Sequence, residues 1–247
     1  MIRLFGWFAF AAVAYGSALV VLTPASYLAG LAPDSLKPFI RDASGSVWSG
    51  QISIGPANDS RVDLSWRFSP KALAKACALF TVTNLKQGAQ ALVRGEVTVC
   101  PVQQSVTVTN FDVHTSMARW ASVTSHYVQD LRGDVAMTLP RVEWSGDQLR
   151  AQGRLVWREA YLDTGSSIAL GEVTGDVGTE GKGVQVRVEN FNGEISLSAR
   201  LLVNPDGSYQ LNGTVDPRDN IDVANGMEWA GTAAPGGGYL VRFVGRL

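Results

Sequence analysis

The stretch VWSGQISIGPANDSRVDLSWRFSP, residues 47–70, decides the fold. Apolar and polar residues alternate on both sides of a break at Gly55, Pro56, Asn58 and Asp59. In an extended chain that period puts one character on each face, and the break supplies turn residues, so the stretch reads as a β-hairpin. Trp48 stands at its entrance with Gly45 before it and Gly50 after it. Upstream the period differs: in PDSLKPFIRDASG, residues 33–45, Leu36, Phe39 and Ile40 share one face and Gly45 ends the run, so a short amphipathic segment should lie against the first strands. Downstream, Ser69 and Pro70 offer an N-cap and a first-turn proline for a short helix over residues 70–79.

Strand signals resume at FTVTNL, ALVRGEVTVC and QSVTVTNFDV, each bounded by Gly, Pro or Asn. A second helix is expected in SMARWASVTSHYVQDLRG, residues 116–133, with Met117, Trp120, Thr124, Tyr127, Val128 and Leu131 on one face and Gly133 as its C-cap. The run VEWSGDQLRAQGRLVWREA, residues 142–160, then repeats the opening layout, matching Trp48 with Trp144 and Trp66 with Trp157. The turn lengths differ, so an internal duplication and a chance reuse of hairpin grammar both stay open. The remainder is strands joined by glycine turns, including Asn204-Pro205-Asp206-Gly207 at a hairpin tip. The fold class is therefore mainly β: one curved antiparallel sheet with two or three short helices, whose inner face is either a filled core or an apolar trough, both readings staying open.

The 247 residues suffice for one domain with a core. A net charge of -1 with 17% charged residues gives no field to attract a polyanion, which argues against nucleic-acid binding. Residues 4–22, LFGWFAFAAVAYGSALVVL, contain no charge; about 19 residues at 1.5 Å each cross roughly 28 Å, enough for one membrane span. Arg3 before the run keeps the N-terminus cytoplasmic. A cleaved signal peptide ending near Thr23-Pro24-Ala25 is the competing reading, and both place the body of the chain outside the cytoplasm. In such a compartment Cys77 and Cys100 are most simply a disulfide, with two buried thiols as the alternative.

Reactive constellations are not in evidence. YLDTGSSIAL resembles the carboxylate loop of aspartic proteases, yet that chemistry needs two aspartates sharing a proton and the chain holds one such motif, Asp163-Thr164-Gly165, which serves equally as a polar turn. Ser49 lacks the preceding glycine of a nucleophile elbow. Cys77, Cys100, His114 and His126 have no metal-ligand spacing. No enzyme activity, cofactor or metal is expected.

An apolar span, a short Pro- and Leu-containing segment, GSVWSG, LSWRFSP, ISLSARLLVNPDGSYQLNGTVDPR and a closing GYLVRFVGRL occur in an order that resembles the type II secretion system protein N family. The residues carrying the resemblance are Gly45, Val47, Trp48, Ser49 and Gly50, then Leu64, Trp66 and Pro70, then Gly207, Tyr209 and Gly213. It implies an inner-membrane accessory that supports export of folded proteins from the periplasm, touching other inner-membrane subunits and the outer-membrane secretin, with no catalytic residues to carry over. The implied layout is a cytoplasmic stub at 1–3, a span at 4–22, a connecting segment at 23–44 and a periplasmic β-rich domain at 45–247. In that frame Gly45, Val47, Trp48, Ser49, Gly50 and Trp66 are structural, with the Trp48 ring packed where the chain enters the sheet. The alternative is an AsmA-like or bridge-like protein that binds or transfers lipid in an apolar β-groove.

Overall fold

The computed structural model describes residues 22–30, 40–55, 62–84, 92–119, 130–163, 165, 167–235 and 237–246. They form one 14-stranded sheet whose strands lie side by side in chain order, except that the last two exchange places. The strands are β1 (Ile40–Gly45), β2 (Ser49–Ile54), β3 (Val62–Ser69), β4 (Ala78–Asn84), β5 (Leu92–Cys100), β6 (Ser105–Ser116), β7 (Asp130–Ser145), β8 (Gln148–Asp163), β9 (Ser167–Glu180), β10 (Gly183–Phe191), β11 (Ser196–Val203), β12 (Ser208–Asp216), β13 (Thr232–Ala233) and β14 (Tyr239–Arg246). Every pairing is antiparallel, so hairpins suffice to build almost the whole molecule. The sheet is open, with β1 at one margin and β13 and β14 at the other.

Residues directly opposite in an antiparallel pair share a face, and following the register across the sheet separates the two faces cleanly. One row runs Val93, Val113, Met137, Leu155, Gly175, Val188, Ala199, Gly213, Val241 from β5 to β14. Another runs Phe68, Phe80, Val97, Val108, Val142, Ala151 from β3 to β8. No paired residue on this face is charged. Its polar members are tied down: Asn190 Nδ2 donates to the carbonyls of Leu170 and Ile195, both at 2.9 Å, and Thr179 Oγ1 accepts from the Ala151 amide at 3.1 Å. The adjacent row on the other face reads Arg94, Asp112, Thr138, Arg154, Asp176, Arg187, Arg200, Asn212, Arg242. Arg94–Asp112 and Arg154–Asp176 form ion pairs there, at 3.6 Å and 3.8 Å.

A helix, α1 (Ala25–Gly30), lies against β1, and α2 (Ile221–Ala230) lies on the apolar face. The α2 N-cap is Asn220, whose side chain accepts from the Val223 amide at 3.0 Å. Val223 and Met227 pack on Ala160, Ile168, Leu170, Val173 and Ile195, and this is where the core sits. Away from α2 most of the apolar face is half-buried, because among the described residues no second layer covers it. Bulges in the β5–β6, β7–β8 and β8–β9 pairs bend the longest strands.

Three readings of the sequence need correcting. Residues 40–45 of the expected amphipathic segment are strand β1, paired with β2. The helix expected over 70–79 is a 3₁₀ turn, Pro70–Lys75, ended by Ala76 in the left-handed region; Ser69 makes no side-chain cap, and residues 78–79 already belong to β4. The second helix is strand at both described ends: β6 runs to Ser116, a 3₁₀ turn takes Met117–Arg119, and β7 begins at Asp130, with Gly133 inside the strand rather than capping a helix. Trp120, Thr124, Tyr127 and Val128, like His126, lie outside the described residues. So does the apolar run 4–22 except for Leu22; among the described residues no helix is long and apolar enough to cross a membrane.

Candidate functional site

Ser46, Val47 and Trp48 turn the chain from β1 into β2, and the two glycines of the motif meet across that turn. Gly45 pairs directly with Gly50, and Gly45 has φ +88°, a left-handed backbone that suits glycine. A Cβ on Gly45 would lie 2.6 Å from the Ser49 carbonyl oxygen; one on Gly50 would lie 2.5 Å from the Trp66 ring. Trp66, on β3 opposite Gly50, lays its indole over the gap and donates from Nε1 to the Val47 carbonyl at 2.9 Å. Trp48 is bound both ways: its carbonyl accepts from the Phe68 amide at 2.6 Å, and its ring meets the Phe68 ring edge-on at 4.8 Å between centroids. The Ser49 amide donates to Ser46 Oγ at 3.2 Å. Thus Gly45, Val47, Trp48, Ser49, Gly50 and Trp66 converge on one hairpin.

That hairpin also holds the chain that precedes it. The Val47 amide donates to the Thr23 carbonyl at 3.0 Å, and Pro24 bridges to Ser46. Ala25, the first residue of α1, is only 1% exposed. The motif is therefore a clasp between the segment starting at Thr23 and the margin of the sheet.

The same device recurs at Gly133, Gly95 and Gly245. Trp157 on β8 donates from Nε1 to the Arg132 carbonyl at 2.9 Å, its ring nitrogen 2.7 Å from where a Cβ on Gly133 would stand. Phe111 lies across Gly95 and Tyr209 across Gly245, with would-be Cβ contacts of 2.9 Å and 2.6 Å. An aromatic ring over a strand glycine restores the contacts that the missing side chain forfeits. Trp66 and Trp157 are thus alike in structure, as the repeated layout matched them. Trp48 and Trp144 are not: Trp48 lies in a turn, whereas Trp144 is the last residue but one of β7, before the Gly146-Asp147 turn, and is 40% exposed.

Cys77 and Cys100 are joined by a disulfide. Their neighbours Ala78 and Val99 pair directly, so the bond closes the β4–β5 ladder at its end. Beside it on the polar face is a cleft of about 620 Å³ lined by Lys71, Lys75, Arg141, Glu143, Trp144 and Arg150. A second cleft, about 590 Å³, lies by the clasp among Gln51, Ser65, Arg67, Thr81 and Thr83. In the first, Arg141 Nε donates to Glu143 Oε1 at 2.7 Å. Asp163 Oδ1 accepts from the Gly165 amide at 2.9 Å, as a turn carboxylate does. His114 is exposed on β6. Among the described residues no group of His, Cys, Asp and Glu could hold a metal ion. Among the described residues two charged groups are shifted, both at the surface: Asp130, by hydrogen bond and then by charge, holds Arg132 more firmly protonated, and hydrogen bonds from Ser208 hold Asp206 below the usual carboxylate range.

The fold and this site define a one-sided antiparallel sheet protein, clasped at its entrance by a Trp-bracketed glycine hairpin. The chain belongs to the protein N family of the type II secretion system, whose model matches residues 39–242. It is similar to the type II secretion system protein N of Klebsiella pneumoniae, 29% identical over 93 residues, which are 36% of this chain and 37% of that protein. The match thus spans little more than a third of the relative's length. No solved structure matches the chain.

Proposed function

We propose that the chain is an accessory inner-membrane component of the type II secretion system, working through protein contacts and not through catalysis. Residues 4–22 would cross the inner membrane with 1–3 in the cytoplasm, 23–44 would connect, and 45–247 would form the periplasmic domain that meets other inner-membrane subunits and the secretin. The observation that carries the reading is the family match, which extends across nearly all of the sheet. The clasp supports the anchoring: hydrogen bonds at Thr23 and Pro24 take hold of the chain directly after the apolar run, so force on an anchor would reach the sheet through its backbone.

The test is deletion of the gene in its own host, with secreted enzyme measured in the medium and the periplasm. The deletion should retain folded substrate in the periplasm, and the full chain should restore export. Undiminished export, or a phosphatase reporter inactive when fused after Ser60, would overturn the reading. Phospholipid retained stoichiometrically by the purified chain, without any secretion defect, would turn it towards lipid binding.

A further inference from the structure

The two margins of the sheet are treated differently. At β1 the edge is short, carries a bulge between Ile40 and Asp42, and has α1 against it. These are the devices by which sheets avoid pairing with other chains. At the other margin β14 is paired on its outer side only at Tyr239 and Leu240, by the two residues of β13. Among the described residues nothing pairs with Val241–Arg246 on that side, and no bulge interrupts the β12–β14 register. β14 also holds three exposed large apolar side chains, Phe243 at 56% on the apolar face and Leu240 at 44% and Val244 at 69% on the polar face, and among the described residues no other strand carries three.

We propose that this edge pairs with β14 of a second copy of the chain, antiparallel, on a two-fold axis through Phe243. The register follows from three constraints. First, opposed residues must share a face, so each pair must have the same parity. Second, opposed arginines need an acid beside them, as Arg200 opposite Arg187 has in Glu180; β14 holds none, so setting Arg242 against Arg242, or Arg242 against Arg246, puts uncompensated like charges across the ladder, whereas Phe243 opposite Phe243 sets Arg242 against Val244. Third, β13 blocks the positions beyond Val241. What remains is five pairs, residues 241–245 against 245–241, which uses the free edge up to Gly245 and leaves Arg246 outside the ladder. The apolar face continues through Val241, Phe243 and Gly245 of both copies. On the polar face each exposed Val244 receives the aliphatic stem of the other copy's Arg242. Five pairs are fewer than a standard interface buries, so the dimer is weak, with Kd on the order of 10–100 µM. The two copies of Arg242 lie diagonally, roughly 7–8 Å apart, where salt screens their repulsion. The dimer therefore tightens as salt rises.

The proposal does not rest on the secretion reading, and its test needs no secretion assay. The full chain is expressed in membranes as three single-cysteine additions, Phe243→Cys, Val244→Cys and Val102→Cys, and oxidised with copper phenanthroline. Phe243→Cys should give a reducible dimer band several-fold stronger than Val244→Cys, whose copies are diagonal, and Val102→Cys should give none. Purified full chain should sediment with a concentration-dependent dimer fraction that rises with salt. Val244→Pro, which cannot continue a ladder, should leave circular dichroism and the native disulfide intact but lower that fraction roughly tenfold. Equal crosslinking at 243 and 102, or a chain monomeric at about 100 µM, overturns the proposal. So does a dimer unaffected by Val244→Pro, which would place the contact elsewhere.

Discussion

A methyl group added to Gly50 would land 2.5 Å from the Trp66 ring and 2.7 Å from the Ser44 carbonyl oxygen, and neither can retreat without opening the clasp. Gly50→Ala should therefore cost about 1–3 kcal/mol. Gly178 on β9 has nothing within 4 Å of its would-be Cβ, and Gly178→Ala should stay within about 0.5 kcal/mol of wild type. Thermal unfolding of the pair is decisive, since equal losses would remove the meaning given to the motif glycine. Trp66→Phe keeps most of the ring but loses the bond to the Val47 carbonyl, for about 0.5–1.5 kcal/mol. Asp206 offers a pH readout. Its carboxylate accepts from the Ser208 amide at 3.0 Å and from Ser208 Oγ at 2.7 Å, which lowers its pKa. The turn therefore has its full support above the ordinary carboxylate pKa and loses it as pH falls through the lowered folded value. The Ser208 amide shift should titrate with a midpoint below that of an ordinary aspartate; a midpoint at the ordinary value would mean the bonds do not hold in solution.

At the scale of elements, the alternating runs were legible wherever one face is apolar: VDLSWRFS, LVRGEVTVC, GVQVRVENF and YLVRFVGR are all strands. The helix misread over 70–79 and the helix ends misread at 116–119 and 130–133 share one cause. Leucine and aromatic residues happened to fall at helical spacing next to a plausible cap, and local caps cannot compete with a neighbouring strand that offers a full ladder of hydrogen bonds. Asp130–Gly133 shows it plainly, since Leu131 is 4% exposed because it faces Leu162 across β7 and β8. The motif residues were visible as a cluster, but that Gly50 exists for Trp66 was not, because the pairing depends on the β2–β3 register. The cysteine pair was inferred from its compartment, and the bond is at the end of β4 and β5. Replacing both cysteines by serine should cost about 3 kcal/mol, since the bond joins residues 23 apart, and lower Tm by roughly 6–12 °C. Alkylation of the unreduced, denatured chain should label neither cysteine; two labels per chain would show that the bond does not form.

Over the whole molecule, what matters is that each strand touches little besides its neighbours in sequence. A chain-order sheet with one partial cover has no centre on which all elements depend, so its stability approximates a sum of neighbouring interfaces, as in repeat proteins. The core cluster lies under α2 on β8 and β9, several strands away from the clasp and from the disulfide. Damage at one end should therefore stay there. In the double cysteine-to-serine variant, hydrogen exchange should accelerate in β3 to β6 while β9 to β12 keep their wild-type protection. Denaturant unfolding should then separate into two steps when followed by Trp66 and by Trp157 in single-tryptophan chains. Exchange that rises evenly over all strands, or coincident transitions at both probes, would show the sheet to be a single cooperative unit. In a sheet of independent segments the clasp at β1 and the free edge at β14 can each engage a neighbour without either altering the other, which suits a component held at one margin and docked at the opposite one.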